Sequence, residues 1–340
     1  MKAISPDGAH QRAFTEEKPR FAFDAGKDLA AQQKAAKEKL RELLGKEPEL
    51  VDLNVRVEFT KEFEDFVEKR ILFSVEKDVD AVGHLWLPKK AAGKVPCFIC
   101  LQGHSTGMHI SMGRALYPGD EKSIGGGDRD FAVQCIRHGV AAFALEQRAM
   151  GERRIPMEED TEDTPTHPRC HVPSMNALLL GRTMIGERVW DVSRAVDLLL
   201  TFPEIDGTRI GCMGNSGGGT TTYYAACMEE RIALAVPSCA VCSYKDSIGA
   251  MEHCVCNFVP HIAENFDMGD LALTIAPRKL IVVSGLHDPI FPQPGVQKEF
   301  RTVKSIFKAA GKEENCRLIV GGEGHRFYAK EAWEAIEEML

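Results

Sequence analysis

The sequence predicts an α/β fold: a mostly parallel, twisted sheet flanked by helices, with an antiparallel N-terminal hairpin at one edge. Three observations carry that prediction. Short, fully apolar runs recur at 95–101, 140–145, 209–213, 233–238, 279–284 and 316–320, as expected of strands buried on both faces. Segments with helical periodicity lie between them at 131–138, 182–200, 217–228 and 296–309, with a closing one at 329–340, and parallel neighbours need crossovers of that kind. Ahead of these, two β-rich runs at 66–75 and 80–87 are joined by Glu76-Lys77-Asp78, which reads as a hairpin.

Nearer the N-terminus, residues 28–44 set Leu29, Ala36, Leu40, Leu43 and Leu44 among Lys, Glu and Gln, with Gly45 where a C-cap belongs. That is one amphipathic helix. The expected organisation is a helical extension over 1–50 and a single α/β domain over 51–340, with no linker, repeat or low-complexity tract to divide it. Three stretches break the strand-helix rhythm, at about 104–130, 146–181 and 240–270. Connections in α/β units usually take about 2–6 residues, so these are insertions, and long loops at the carboxyl ends of parallel strands are where sites are built.

Composition narrows the function classes. The 340 residues hold 42 Lys+Arg against 50 Asp+Glu, a net charge of −8, and 44% are hydrophobic. Lysines interleaved with glutamates form no basic stripe, so neither a nucleic acid nor an anionic membrane is an expected partner. No run approaches the roughly 18 apolar residues of a membrane span, and the opening residues lack the apolar core of a secretory signal, so the expected location is the cytoplasm. Eleven cysteines, an odd number with many in apolar runs, suit a reducing compartment in which thiols serve as small buried hydrophobes.

The chemistry is concentrated after the run at 209–213, which leads into Gly214-Asn215-Ser216-Gly217-Gly218 and then a helix. This is a G-x-S-x-G nucleophile elbow in the strand-turn-helix setting it requires. Gly214 and Gly218 let the turn close, and the backbone N–H of Gly217 falls at a helix N-terminus where an oxyanion can be met. A serine hydroxyl needs a base and a carboxylate to orient it. Asp288 follows the strand at 279–284 and His325 follows the strand at 316–320, giving the nucleophile-acid-base chain order of α/β-hydrolases. His287 is the rival base, and Asp267 and Asp270 are rival acids without a preceding strand. A second oxyanion donor is expected from the loop after 95–101, where Gly103 permits close approach and the backbone N–H of His104 would pair with that of Gly217.

Taken together, Gly103-His104, the segment Glu146-Gln147-Arg148-Ala149-Met150-Gly151, the elbow, Asp288-Pro289-Ile290-Phe291-Pro292 and Gly324-His325-Arg326-Phe327 resemble the α/β-hydrolase superfamily, in the group of acetyl xylan esterase-like and dienelactone hydrolase-like enzymes. The resemblance runs from about residue 60 to the end. It implies an α/β-hydrolase fold and metal-independent hydrolysis of short-chain, acetyl-type carboxylic esters through an acyl-serine, with Ser216, Asp288 and His325 as the triad, no cofactor, and a small ester as substrate, an acetylated sugar among the candidates. Two departures stand out. Gln102-Gly103-His104 replaces the His-Gly-Tyr or His-Gly-His of many relatives, which changes the pocket wall, and serine replaces the cysteine nucleophile of the dienelactone hydrolases. A serine peptidase of the prolyl-oligopeptidase type and a non-catalytic binding protein on the same fold are the alternatives. A homo-oligomer is compatible with the sequence.

Other features have plainer readings. His253-Cys254-Val255-Cys256, with His167, Cys170 and His171 in another insertion, fits no standard zinc spacing, so no metal is expected. Gly125-Gly126-Gly127 lacks the Gly-Lys-Ser/Thr of a phosphate loop. Trp190 has the helical spacing of a core residue, and Arg148 is read as anchoring its loop through a carboxylate in preference to meeting substrate.

Overall fold

The computed structural model describes residues 4–90, 93–158, 160–161 and 167–340; the remainder of the 146–181 insertion lies outside the described residues. Three strands come first. β1 (Arg56–Glu62), β2 (Phe66–Glu76) and β3 (Val79–Pro88) form an antiparallel meander. The hairpin turn places Asp78 at φ 62°, a left-handed conformation that aspartate tolerates. β4 (Val95–Leu101), β5 (Ala141–Leu145), β6 (Ile205–Asn215), β7 (Ile232–Ser238), β8 (Lys279–Gly285) and β9 (Cys316–Gly321) follow, each parallel to its neighbours among these six. The sheet order is β1-β2-β3-β5-β4-β6-β7-β8-β9, with β3 joined antiparallel to β5.

The helices of the described residues are α1 (Asp7–Glu16), α2 (Leu29–Leu44), α3 (Asp120–Gly125), α4 (Phe131–Arg137), α5 (His171–Leu179), α6 (Met184–Leu199), α7 (Gly217–Met228), α8 (Ile262–Asn265), α9 (Gln293–Ala309) and α10 (Ala329–Met339). None is long and apolar enough to cross a membrane. The sheet divides the apolar residues by parity. Cys97, Ile99 and Leu101 of β4 enter one core with α2, α6, α7 and α9, whereas Phe98 and Cys100 enter the other with α4 and α10. Covering both faces is what makes these strands apolar at every position.

Two N-terminal elements depart from expectation. β1 extends the expected hairpin to three strands; nearly all its residues are exposed, so no apolar alternation marks it in the sequence. The helix expected over 28–44 is present, its N-cap formed by Asp28 accepting from the Ala31 amide at 2.8 Å. Its Ala36, Leu40 and Leu44 are buried in the same core as β4, so α2 packs as an integral wall of the α/β layer.

The chain crosses from β4 to β5 on one side and then to β6 on the other. The carboxyl ends of β4 and β6 therefore form the switch point of the sheet, the place where a crevice opens in α/β folds. Because Leu40 is fully buried, Leu40→Ala should cost about 2–5 kcal/mol in urea denaturation. A loss of less than about 0.5 kcal/mol, the scale of a surface substitution, would show that α2 is only appended.

Candidate active site

Ser216 stands between β6 and α7 with φ 57° and ψ −124°, a conformation that costs a non-glycine residue about 1–3 kcal/mol. Close backbone packing holds it there. A Cβ on Gly218 would lie 2.0 Å from the Leu101 carbonyl oxygen, and one on Gly214 would lie 2.6 Å from the same atom. Both elbow glycines are thus required by the approach of β4 to the turn. The Ser216 amide donates to the Ser238 carbonyl at 2.9 Å, and its own carbonyl accepts from Thr220 at 2.8 Å, which starts α7. Asn215 is fully buried and donates through Nδ2 to the Ser238 hydroxyl at 3.1 Å.

Asp288 lies just past β8 in a turn whose amides it caps, Oδ1 accepting from Ile290 at 2.9 Å and Phe291 at 3.2 Å. Its Oδ2 is 2.8 Å from Nδ1 of His325, in the loop after β9. The Asp288 side chain is wholly buried and that of His325 is 18% exposed, so the imidazole keeps one edge open. Burial alone would raise the Asp288 carboxyl, but the His325 hydrogen bond and the Ile290 amide hold it below the ordinary range. Phe291 stacks on the His325 ring at 6.0 Å.

Ser238 joins these two halves. Its carbonyl receives the Ser216 amide, and its hydroxyl donates to the Arg326 carbonyl at 3.2 Å, next to the imidazole. Nucleophile candidate and base candidate therefore occupy one rim of the sheet. The Ser216 hydroxyl makes no hydrogen bond to another described residue, and catalytic hydrogen bonds are often long or unformed in unliganded sites. The rivals are occupied elsewhere. His287 is exposed, with its amide donating to Glu323. Asp267 and Asp270 form a capping box on residues 268–274. Cys239 approaches Asp288, but burial pushes its thiol up to about 12.

The loop after β4 meets the elbow closely: a Cβ on Gly103 would lie 2.8 Å from the Asn215 carbonyl and 3.2 Å from the Ser216 Cβ. Among the described residues neither the His104 nor the Gly217 amide donates to a protein acceptor. Gln102 donates to the buried Glu146, which also accepts from the Met108 amide at 3.1 Å, so the start of the second insertion pins this loop. Arg148 is buried and forks onto Asp191 at 2.8 and 2.9 Å, with Glu76 and Glu187 beside it; it anchors structure. Trp190 is half-buried and donates to the Val75 carbonyl. Gly125 ends α3 and Gly127 accepts from the Phe327 amide, so the three glycines close a helix.

The side chain of His104 is held between the elbow backbone and a cysteine. It lies against the Gly217 backbone, where a Cβ would be 2.7 Å from Nδ1, and its Nε2 is 3.1 Å from the Cys256 sulfur. Cys170 and Cys254 complete the group: a ring nitrogen of His104 and the sulfurs of Cys170, Cys254 and Cys256 all lie within 4.8 Å of one another. Of the earlier metal-ligand candidates, His167 and His171 are exposed, and His253 bonds Asn257 and packs edge-on against Phe291. No local spacing rule could assemble this group, because its members come from the loop after β4, the second insertion and the third insertion.

The sequence pattern of the acetyl xylan esterase (AXE1) family matches residues 38–253. The chain belongs to the acetyl xylan esterase family. It is accordingly an esterase, a hydrolase of the α/β-hydrolase superfamily, and its mixed sheet with flanking helices is the fold of that group. A Bacillus subtilis protein described as a hydrolase, YtaP, is 24% identical over 296 residues, 85% of this chain and 92% of the relative. Among solved structures, a Bacteroides fragilis protein described as an acetyl xylan esterase superposes with a TM-score of 0.82 at 16% identity, covering 100% of this chain and 96% of that one. A glucuronoyl esterase from Solibacter usitatus gives 0.68 at 17% identity over 95% and 98%. The acetyl xylan esterase of Paenibacillus sp. R4 gives 0.62 at 17% over 96% and 99%. The family match ends before Asp288 and His325, so their pairing rests on the geometry given above.

The depressed Asp288 carboxyl has a pH consequence. A folded-state pKa below the unfolded value of about 3.9 adds stability that is complete above that value and is lost as pH falls through the folded one. Asp288→Asn should therefore flatten the stability profile of the esterase below about pH 4, read by denaturant titration at several pH values. An unchanged acid limb would show that the folded protein does not hold the Asp288 carboxyl below its ordinary range.

Proposed function

We propose that this esterase cleaves short-chain, acetyl-type carboxylic esters through an acyl-enzyme on Ser216. The observation that carries the reading is the 2.8 Å Asp288–His325 pair on the rim that also bears the strained elbow serine. In this scheme Nε2 of His325 takes the Ser216 proton as the hydroxyl attacks the ester carbonyl. Asp288 fixes the Nδ1–H tautomer and stabilises the imidazolium. The amides of His104 and Gly217 receive the oxyanion, an interaction whose loss costs about 3–4 kcal/mol in well-studied hydrolases. His325 then protonates the leaving alcohol and activates water for deacylation.

The substrate side of the proposal draws on the relatives, two of which are named for acetyl xylan and another for glucuronoyl esters. An acetylated sugar is the alcohol half they favour. Gln102 cannot line its pocket, because the side chain is fully buried against Glu146. Instead His253 and Phe291 of the third insertion and the acid turn stand beside His325.

Ser216→Ala should lower kcat on p-nitrophenyl acetate by about 10⁴–10⁶-fold and abolish labelling by a fluorophosphonate, with an unchanged thermal midpoint. A variant that keeps a tenth of the activity would eliminate the nucleophile assignment. An acyl series from acetate to octanoate should show highest kcat/KM at the short end, and preference for a dipeptide amide over the esters would favour peptidase chemistry instead.

A further inference from the structure

We propose that His104, Cys170, Cys254 and Cys256 form a closed, four-ligand zinc(II) site that ties the second and third insertions to the loop carrying the oxyanion amide. The geometry is that of a ligand set. Sulfurs of Cys254 and Cys256 are 3.3 Å apart, Nε2 of His104 is 3.1 Å from Cys256, and no pair among the four atoms exceeds 4.8 Å. Zinc–sulfur bonds of about 2.3 Å in a tetrahedron set sulfurs about 3.8 Å apart, so movements of up to about 1 Å, within reach of small side-chain rotations, accommodate the ion. The cysteines are free thiols, and their sulfurs lie well beyond the roughly 2.05 Å of a disulfide.

Charge supplies an independent argument. Arg188, on α6, is 1% exposed, and among the described residues its guanidinium has no carboxylate partner. Among the described residues it donates to the Arg148 carbonyl and to the sulfurs of Cys256 at 3.3 Å and Cys170 at 3.5 Å. A buried cation needs a counter-charge. Three thiolates around a dication leave one negative charge, and Arg188 neutralises it. Metal binding would release the three thiol protons to solvent, and Arg188, by donating to two of the sulfurs, is placed as the outer partner that steadies thiolate ligands.

Metal identity follows from the donors. Three soft thiolates and one imidazole in a compact group select zinc over the hard cations, and four protein ligands leave no position open for substrate. The role is therefore structural. Nε2 coordination leaves the proton of His104 on Nδ1, the edge packed on Gly217, and fixes the backbone of residue 104 opposite the elbow. Cys170 precedes α5 and Cys254 and Cys256 belong to the third insertion, so one ion would clamp three separate segments beside Ser216.

The test reads the metal directly and does not depend on catalysis. Protein purified from zinc-supplemented cells without chelator should carry close to one zinc per chain by plasma mass spectrometry. Exchange with cobalt(II) should give the visible bands of a tetrahedral ion and the near-ultraviolet band of thiolate ligation. Cys170→Ala and Cys254→Ala should lose the metal and unfold several degrees lower, and Ser216→Ala should keep it. Should those cysteine variants not fold, the cobalt spectrum of the unaltered chain decides alone. Metal-free protein that gives no cobalt bands after reduction overturns the proposal, and so does a disulfide among Cys170, Cys254 and Cys256 in peptide mapping of protein handled without oxidant.

Discussion

The contact on which the site depends is between two stretches of backbone. Where β4 ends and α7 begins, the Leu101 carbonyl lies so near Gly218 that no side chain fits between them. That approach compresses the turn, holds Ser216 at positive φ, and brings the loop from Gln102 to Thr106 over the start of α7. The strain at Ser216 persists because the flanking strands over-determine it. Each is hydrogen-bonded on both sides within the parallel part of the sheet.

Around this frame the second insertion is anchored by buried ion pairs and hydrogen bonds. Arg148 and Arg153 converge on the buried Asp191, and Glu76 adds Arg182 to the same group. Such networks add less to stability than their number suggests, because burying each ion is costly; what they do enforce is geometry, since breaking one partner leaves another uncompensated. Glu146 has a similar function on the other side of the loop, with Gln102 and Met108 both donating to its carboxylate. The shape of the cleft thus depends on groups that never face it.

Much of this was legible in the sequence, for physical reasons. Strands buried on both faces show as continuous apolar runs, so all six parallel strands could be located, though β6 starts earlier, at Ile205. The elbow is legible because only glycine fits at 214 and 218, and Asp288 and His325 are legible because each follows a strand end. β1 was invisible, since a charged edge strand exposed on nearly every residue carries no periodicity. The outer helix α1 buries no residue and gave no amphipathic signal. The grouping of His104 with three cysteines was illegible for a different reason: its members sit on loops whose juxtaposition is a product of the whole fold. The spacing around residue 254 taken alone argued against any such group.

Ser238 bears on how the site withstands thermal motion. Its carbonyl and hydroxyl reach in two directions, to the nucleophile turn and to the segment holding the imidazole. The separation of Ser216 and His325 is therefore gauged by the dimensions of a single residue on an inner strand, although more than a hundred positions of chain lie between them. Rearrangement of the outer loops would alter what enters the cleft while leaving the spacing of those two side chains unchanged.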